Sequence, residues 1–307
     1  MRTLHHRDHH HLGWDRALPA ALEVAPGEVV ELVLQDAFGG QLTAGATATD
    51  VARLDLTAAN PLTGPLEVVG AAPGDTVALT VEQIEVGEVG WTAVIPGFGL
   101  LAEDFPAPHL VVSSIDADGV RFGDLAHLPR RPFLGTVGVA PAEDGPLSVI
   151  PPRRVGGNLD CRDVRPGATL LLPVEVAGAW LSAGDPHAAQ GDGEVCGTAV
   201  ETTATARIRV DLRRDHALDA PQLELPAEVA PATPTGPHRR LTMGVGPDLH
   251  AGARDATRAM IELLGRHGVA PVDAYALCSV AGDLRIIEVV DAPNWVVGLE
   301  LDLDVLA

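Results

Sequence analysis

The sequence predicts an α+β, β-rich fold: a multi-stranded β-sandwich or barrel-like body followed by a smaller C-terminal α/β part. Three observations point there. The 307 residues include 33 Gly and 25 Pro but only 3% aromatics, a composition of many turns and short elements rather than of a helical bundle. Residues 200–213 alternate strictly: Val200, Thr202, Ala204, Ala206, Ile208, Val210 and Leu212 share one face, and Glu201, Thr203, Thr205, Arg207, Arg209, Asp211 and Arg213 share the other, the period of a half-buried strand. Beyond about residue 240 the period changes to that of an amphipathic helix. At 46% apolar residues the chain has the material for a sizeable core.

From the N-terminus, "MRTLHHRDHHHLGW" carries five His within residues 5–11 and reads as a frayed, solvated end, with His11 set apart. Glu28–Leu34 reads as a strand. Thr76–Glu82 alternates, with Val77, Leu79 and Val81 on one side, and Leu170–Val176 is a short apolar run before Gly178. Turn signals such as "NPLTGP", "AAPGD" and "RPG" separate them. Residues 217–240 are Pro-rich and read as a long surface connection. In 247–268, Ala256, Ala259, Met260, Leu263 and Leu264 fall at helical spacing between Pro247 and Gly268, the asymmetry helices prefer. Residues 271–282 read as a second short helix, and 283–291 and 296–305 as strands. The expected organisation is a β-rich body, 1–240, carrying the polar site, with an α+β segment, 241–307, packed on it.

Charge and composition exclude several function classes. The formal charge of −21 argues against nucleic acid and against an anionic membrane surface as partners. All 21 basic residues are Arg, which removes every mechanism that needs a lysine, from Schiff bases to Ser–Lys pairs and phosphate-loop lysines. Cys161, Cys196 and Cys278 have no paired spacing, so neither a disulfide framework nor a Cys-rich zinc site is expected. With no apolar signal core and no run of about 18 apolar residues, the expected location is cytoplasmic. His216, His238, His250 and His267 read as surface residues, and Trp14, Trp91, Trp180 and Trp295 as packing residues.

The chemistry concentrates in "GDPHAAQGDGEVCGTAVE", residues 184–201, with one His and four carboxylates among small residues. Pro186 biases Asp185 toward an extended state, where i and i+2 side chains point the same way, so Asp185 and His187 are expected to project together. Asp192 and Glu194 stand in the same relation about Gly193. Upstream, "GGNLDCR" places Asn158 and Asp160 two apart, and "QDAFGGQ" ends a strand at Asp36. One imidazole with several carboxylates suits Zn²⁺, or Mn²⁺ or Ca²⁺ where oxygens dominate. The same residues also suit solvated turns, and spacing alone leaves both readings open. Cys161 and Cys196 lack a paired His base and read as inert.

Longer blocks decide further. "PGEVVELVLQDAFGGQL", "NPLTGPLEVVGAAPGD", "IPGFGLL", "RPFLGTVGVAP", "PPRRVGGNLDCR", "LLLPVEVAGAWLSAGDPHAAQGDGEVCGTAVE", "AYALCSVAGDLRI" and "VVDAPN" occur in order over nearly the whole chain. In these blocks the sequence closely resembles the acetamidase/formamidase family. The resemblance implies hydrolysis of short-chain amides to carboxylate and ammonia, with lactams or ureides as alternative substrates of the same site. It also implies a homo-oligomer, a dimer first, and a divalent metal, zinc first. It places His11, Asp36, Asn158, Asp160, Asp185, His187, Glu194 and Glu201 at shared polar positions. The roles expected are His11, Asp36, Asp160, Asp185 and His187 toward the metal, Glu194 as general base, Asn158 orienting substrate or donating to the oxyanion, and Glu201 as ligand or support. The missing lysine agrees, because the other large amidase classes use one. The competing reading is a non-catalytic metal- or metabolite-binding β-domain.

Overall fold

A computed structural model describes residues 1–214, 216–225 and 239–306. Its axis is the strand Glu201–Arg213, antiparallel to Glu28–Leu34 on one side and to Thr76–Val94 on the other. Burial follows the sequence period: Ala204, Ala206, Ile208 and Val210 are buried, while Thr203, Arg209 and Asp211 face solvent. The sheet continues from Thr76–Val94 to Thr169–Pro173, Gln222–Leu225, Arg239–Gly246, Trp295–Asp302 and Asp283–Glu288. A second layer pairs Leu62–Val68 with Leu181–His187, then Phe133–Gly138, then Gly156–Asn158. One apolar core joins the layers, with Val30, Leu32, Leu79 and Ile208 from the first and Leu66, Leu134, Val137 and Leu181 from the second. The β-rich, α+β expectation is met.

Several elements differ from their sequence expectation. The His-rich head is ordered, not frayed: Arg2–His5 pairs in parallel with Glu28–Leu34, anchored by buried Leu4, and His10–His11 pairs with Leu62–Val68. The His6 and His10 rings stack at 4.7 Å. The strand beginning at Thr76 runs to Val94, past the end of its alternation. Register shifts against Glu201–Arg213 break the period there. The apolar run from Leu170 is a strand only to Pro173, where the ring has no N–H for the ladder. Part of the Pro-rich stretch is sheet: Gln222–Leu225 forms a strand with Leu223 and Leu225 buried. Residues 226–238, including His238, lie outside the described residues.

The helices Leu249–Arg266 and Pro271–Ala281 fall where the periodicity places them. Asp248 caps the first, accepting from the Ala251 N–H at 2.7 Å, and Pro271 opens the second. Ala256, Met260 and Leu264 bury against Leu299 and Leu301. The close approach of helix and sheet depends on Gly244, where a Cβ would stand 2.0 Å from the Gly252 carbonyl oxygen. Among the described residues no helix is long and apolar enough to cross a membrane.

Candidate active site

The site forms where the two layers meet, at the single pairing of His187 with Glu201. His187 is fully buried. Its Nε2 lies 3.1 Å from Asp185 Oδ1 and 3.0 Å from Glu201 Oε2, and its Nδ1 lies 3.7 Å from Asp160 Oδ1. Phe133 meets the ring edge-on at 4.9 Å between centroids. Two three-residue groups, Asp160–His187–Glu194 and Asp185–His187–Glu201, each offer ligand atoms within 4.8 Å of one another. Five of the predicted residues therefore converge on one imidazole or its immediate surroundings.

Asp185 reaches that place by a different backbone route from the one its spacing suggested. It is not extended; its φ is +55°, the left-handed region that non-glycine residues rarely occupy. Asp160 (+43°), Glu194 (+45°) and Asn60 (+47°) share that conformation. Such strain costs about 1–3 kcal/mol per residue and persists only where the surroundings enforce it. Here it turns three carboxylates inward from three different backbone segments.

Asn158 is held from both ends. Its Nδ2 donates to Asp291 Oδ2 at 2.5 Å, and its Oδ1 accepts from Asn60 Nδ2 at 2.9 Å and from Thr136 Oγ1. Asn60 Nδ2 and Thr136 Oγ1 also lie 3.4 Å from Asp185 Oδ2. Glu201 Oε1 accepts from the Ala199 N–H at 2.8 Å. Glu288 accepts from the N–H groups of Val290 and Asp291, the latter at 2.7 Å. Asn60, Thr136, Glu288 and Asp291 were not among the predicted site residues. Three of them sit in conspicuous blocks, "NPLTGP", "RPFLGTVGVAP" and "VVDAPN", but nothing local distinguishes them from turn or strand residues.

Two predicted residues stand apart. Asp36 is buried, yet its carboxylate accepts from the N–H groups of Phe38 (3.0 Å) and Gly40 (3.1 Å); burial still pushes it above the usual carboxylate range, with Asp185 adding to the effect. The Nδ1 of His11 meets the Gly13 carbonyl at 2.8 Å and its Nε2 the Ser182 hydroxyl at 2.9 Å. Neither belongs to the two candidate ligand groups. Asp192, two residues from Glu194, turns the other way, onto Arg162 and bidentate onto Arg285 at 3.0 Å. The Gly193 N–H docks on the Ile287 carbonyl at 2.8 Å. The strand Asp283–Glu288 thus pins the turn that presents Glu194.

The electrostatics of the cluster are those of crowded, desolvated acid. Burial, with Asp185 nearby, pushes Asp160 up to about 7. Burial pushes Glu201 up to about 8, with Asp185 adding and His187 opposing. Glu194 and Asp291 rise well above the carboxylate range through burial and then the Asp160 charge. Burial alone would lower His187, but Glu201 and Asp185 raise it well above its usual value. Among the described residues, both Asp160 oxygens and His187 Nδ1 are buried without a hydrogen-bond partner. Buried unpaired acceptors are expensive, and together they make a donor set suited to a divalent cation. A cavity of about 360 Å³ opens onto Glu194, Gln190 and Ala199. Cys161 lies in the core, its thiol pushed up by burial, which agrees with an inert role.

Gly135 shows how little room the cluster leaves. A Cβ there would stand 2.7 Å from Asp160 Oδ1 and His187 Cε1, and 2.8 Å from the Asp185 carbonyl oxygen. Gly135→Ala is expected to cost about 1–3 kcal/mol of stability. Any turnover that depends on this cluster should fall about hundredfold, the effect of displacing reacting groups by about 1 Å. Thermal melting and turnover measured together check this; wild-type kinetics in the variant would mean the strand has slack that the distances do not show.

Comparison with known proteins agrees with this architecture. The family model described as Acetamidase/Formamidase matches residues 2–149 and 142–307. The sequence is 27% identical to a formamidase of Methylophilus methylotrophus, over 92% of this chain and 86% of that protein. It is 30% identical to an acetamidase of Mycolicibacterium smegmatis, over 66% of this chain and 65% of that one. The structure matches that of an acetamidase from Bacillus halodurans with a TM-score of 0.88 at 31% identity, covering 99% of this chain and 98% of the other. A gamma lactamase from Delftia acidovorans shares the fold at a TM-score of 0.70 and 24% identity, covering 99% of this chain and 93% of the other. With a family model matched along both halves and the fold shared end to end, the chain belongs to the acetamidase/formamidase family.

Proposed function

We infer that this chain is an amidase that hydrolyses the carbon–nitrogen bond of short-chain amides of the formamide and acetamide kind, releasing ammonia and a carboxylate. Family membership supports the reaction class. The observation that carries the assignment of roles is that Glu194, alone among the carboxylates around His187, lines the cavity.

On this reading Asp160, Asp185 and His187, with Glu201 beside them, would hold a divalent cation. The orphaned oxygens and ring nitrogen of that set fit one, and a mixed imidazole–carboxylate donor set suits zinc, with Ca²⁺ or Mn²⁺ as oxygen-preferring alternatives. When bound, such a cation would polarise the amide carbonyl and acidify a water. Glu194 takes the proton of the attacking water and returns it to the leaving nitrogen as the C–N bond breaks. Asn158, fixed by Asp291, Asn60 and Thr136, keeps the Asp185 side of the cluster in register. Burial excludes bulk water from all but the cavity side, which strengthens each charge interaction there.

The test is elemental analysis of the purified protein, with and without chelator treatment, coupled to ammonia release from formamide, acetamide and propionamide. Stoichiometric zinc and chelator-sensitive turnover, restored by adding zinc back, are the expected results. Full turnover by metal-depleted protein would remove the cation from the reaction. No turnover by metal-replete protein would turn the reading to a binding domain.

A further inference from the structure

We propose that the cavity beside Glu194 is an acyl-chain site, so that amides of medium-length apolar acids, about four to eight carbons or a single aryl ring, are better substrates than formamide or acetamide. This rests on the amidase reading and extends its substrates beyond the formamide and acetamide kind.

Size is the first argument. The cavity holds about 360 Å³, within the range of roughly 300–1,000 Å³ typical of sites for ligands far larger than a two-carbon amide. At about 30 Å³ per liquid water it has room for about a dozen waters, most of which acetamide would leave in place.

The walls are the second argument. Phe122, Leu128, Pro129, Val195 and Val200 line the same space as the buried Glu194. Val195 is 58% exposed although it adjoins Glu194 in the chain, so an apolar side chain is held at the mouth rather than folded into the core. Phe122 and Leu128 come from the short strands Val120–Phe122 and Ala126–Leu128, which extend the sheet beyond His109–Ile115. They pack partly buried on a small apolar cluster of Ile115, Val120, Ala188 and Val200, separate from the main core. That hairpin contributes no residue to the His187 cluster; what it contributes is one side of the cavity.

Polarity is the third. Of the three charged side chains on the lining, Asp192 is neutralised by Arg162 and Arg285 and Arg131 is exposed to solvent, which leaves Glu194 for the chemistry. The occupant is therefore the acyl part of the substrate: the scissile amide at Glu194 and the chain along Leu128 and Phe122.

The experiment compares kcat/KM for formamide, acetamide, butyramide, hexanamide, phenylacetamide and succinamate with the full-length, metal-replete protein. The expected result is a rise of about two- to fourfold per added methylene from acetamide to hexanamide, the gain of burying a CH₂, and a lower value for succinamate than for butyramide. Leu128→Ala, and separately Phe122→Ala, should each lower the hexanamide-to-acetamide ratio of kcat/KM about tenfold. A fall with every added carbon, or unchanged ratios in both variants, overturns the proposal while leaving the amidase reading intact. A preference for succinamate also overturns it and assigns selection to Arg131 at the cavity rim. Should no amide turn over, the amidase reading fails, and calorimetry decides the cavity separately: hexanamide binding at least tenfold tighter than acetamide supports an apolar-chain site, and equal or absent binding rejects it.

Discussion

Glu194→Gln, on the proposed mechanism, should cut ammonia release by about 10²–10⁴-fold, the usual contribution of a positioned general base, while leaving the divalent-metal content measured by elemental analysis unchanged. The substitution preserves shape and removes the proton acceptor at the one carboxylate of the cluster that lines the cavity. The turn that holds the residue should not move, because its anchors lie in neighbours: the Gly193 N–H on the Ile287 carbonyl and the Asp192 carboxylate on Arg285. Metal content separates two roles for Glu194. It stands in a candidate ligand group with Asp160 and His187, and if it binds the cation, occupancy should fall together with turnover. Full activity in the variant would sink the assignment of base.

His187→Ala should have the larger structural effect. Its ring is the one residue common to both candidate ligand groups, with Asp185 and Glu201 on one nitrogen and Asp160 toward the other. Removing it leaves Asp185 Oδ1, Glu201 Oε2 and Asp160 Oδ1 facing one another without the ring between them. Breaking a buried ion pair in this way costs about 3–5 kcal/mol. The expected outcome is loss of bound metal, loss of turnover and a clearly lowered melting temperature, read by elemental analysis and calorimetry. His187→Gln keeps a side chain able to donate while losing the ring nitrogens, and it should recover part of the stability but not the metal. Wild-type metal content in either variant would exclude His187 from any cation site.

Parts of this molecule were legible from local pattern. The alternation of residues 200–213 gives the central strand because one face of that strand packs on the core and the other meets solvent. The spacing of Ala256, Met260 and Leu264 gives the long helix for the same kind of reason. Where two neighbours share burial, pattern fails. Gln222–Leu225 hides among prolines, and the extension of the strand from Thr76 to Val94 hides behind register shifts.

The site divides along the same line. Asp185, His187, Glu194 and Glu201 are close in sequence and polar in an otherwise small-residue stretch, so their cluster could be read. Asp192 and Glu194, two residues apart about a glycine, are equivalent by spacing, yet one is an ion-pair partner of Arg285 and the other faces the cavity. That choice is made by residue 285, far along the chain. Asn60, Thr136 and the Glu288–Asp291 turn join the site from three separate segments, and no local signal marks them.

By itself, then, the sequence determined the β-rich class, the lysine-free chemistry, the family and the acidic stretch around His187, because each depends on composition or on residues near one another. Only the tertiary structure decided which carboxylates turn inward, through left-handed backbone at Asp160, Asp185 and Glu194. It alone brought Asn60, Thr136 and Asp291 beside them and gave Glu194 its cavity. Those outcomes depend on sheet pairing and on contacts between distant segments, and the desolvation that raises the carboxylates exists only once those segments close over them.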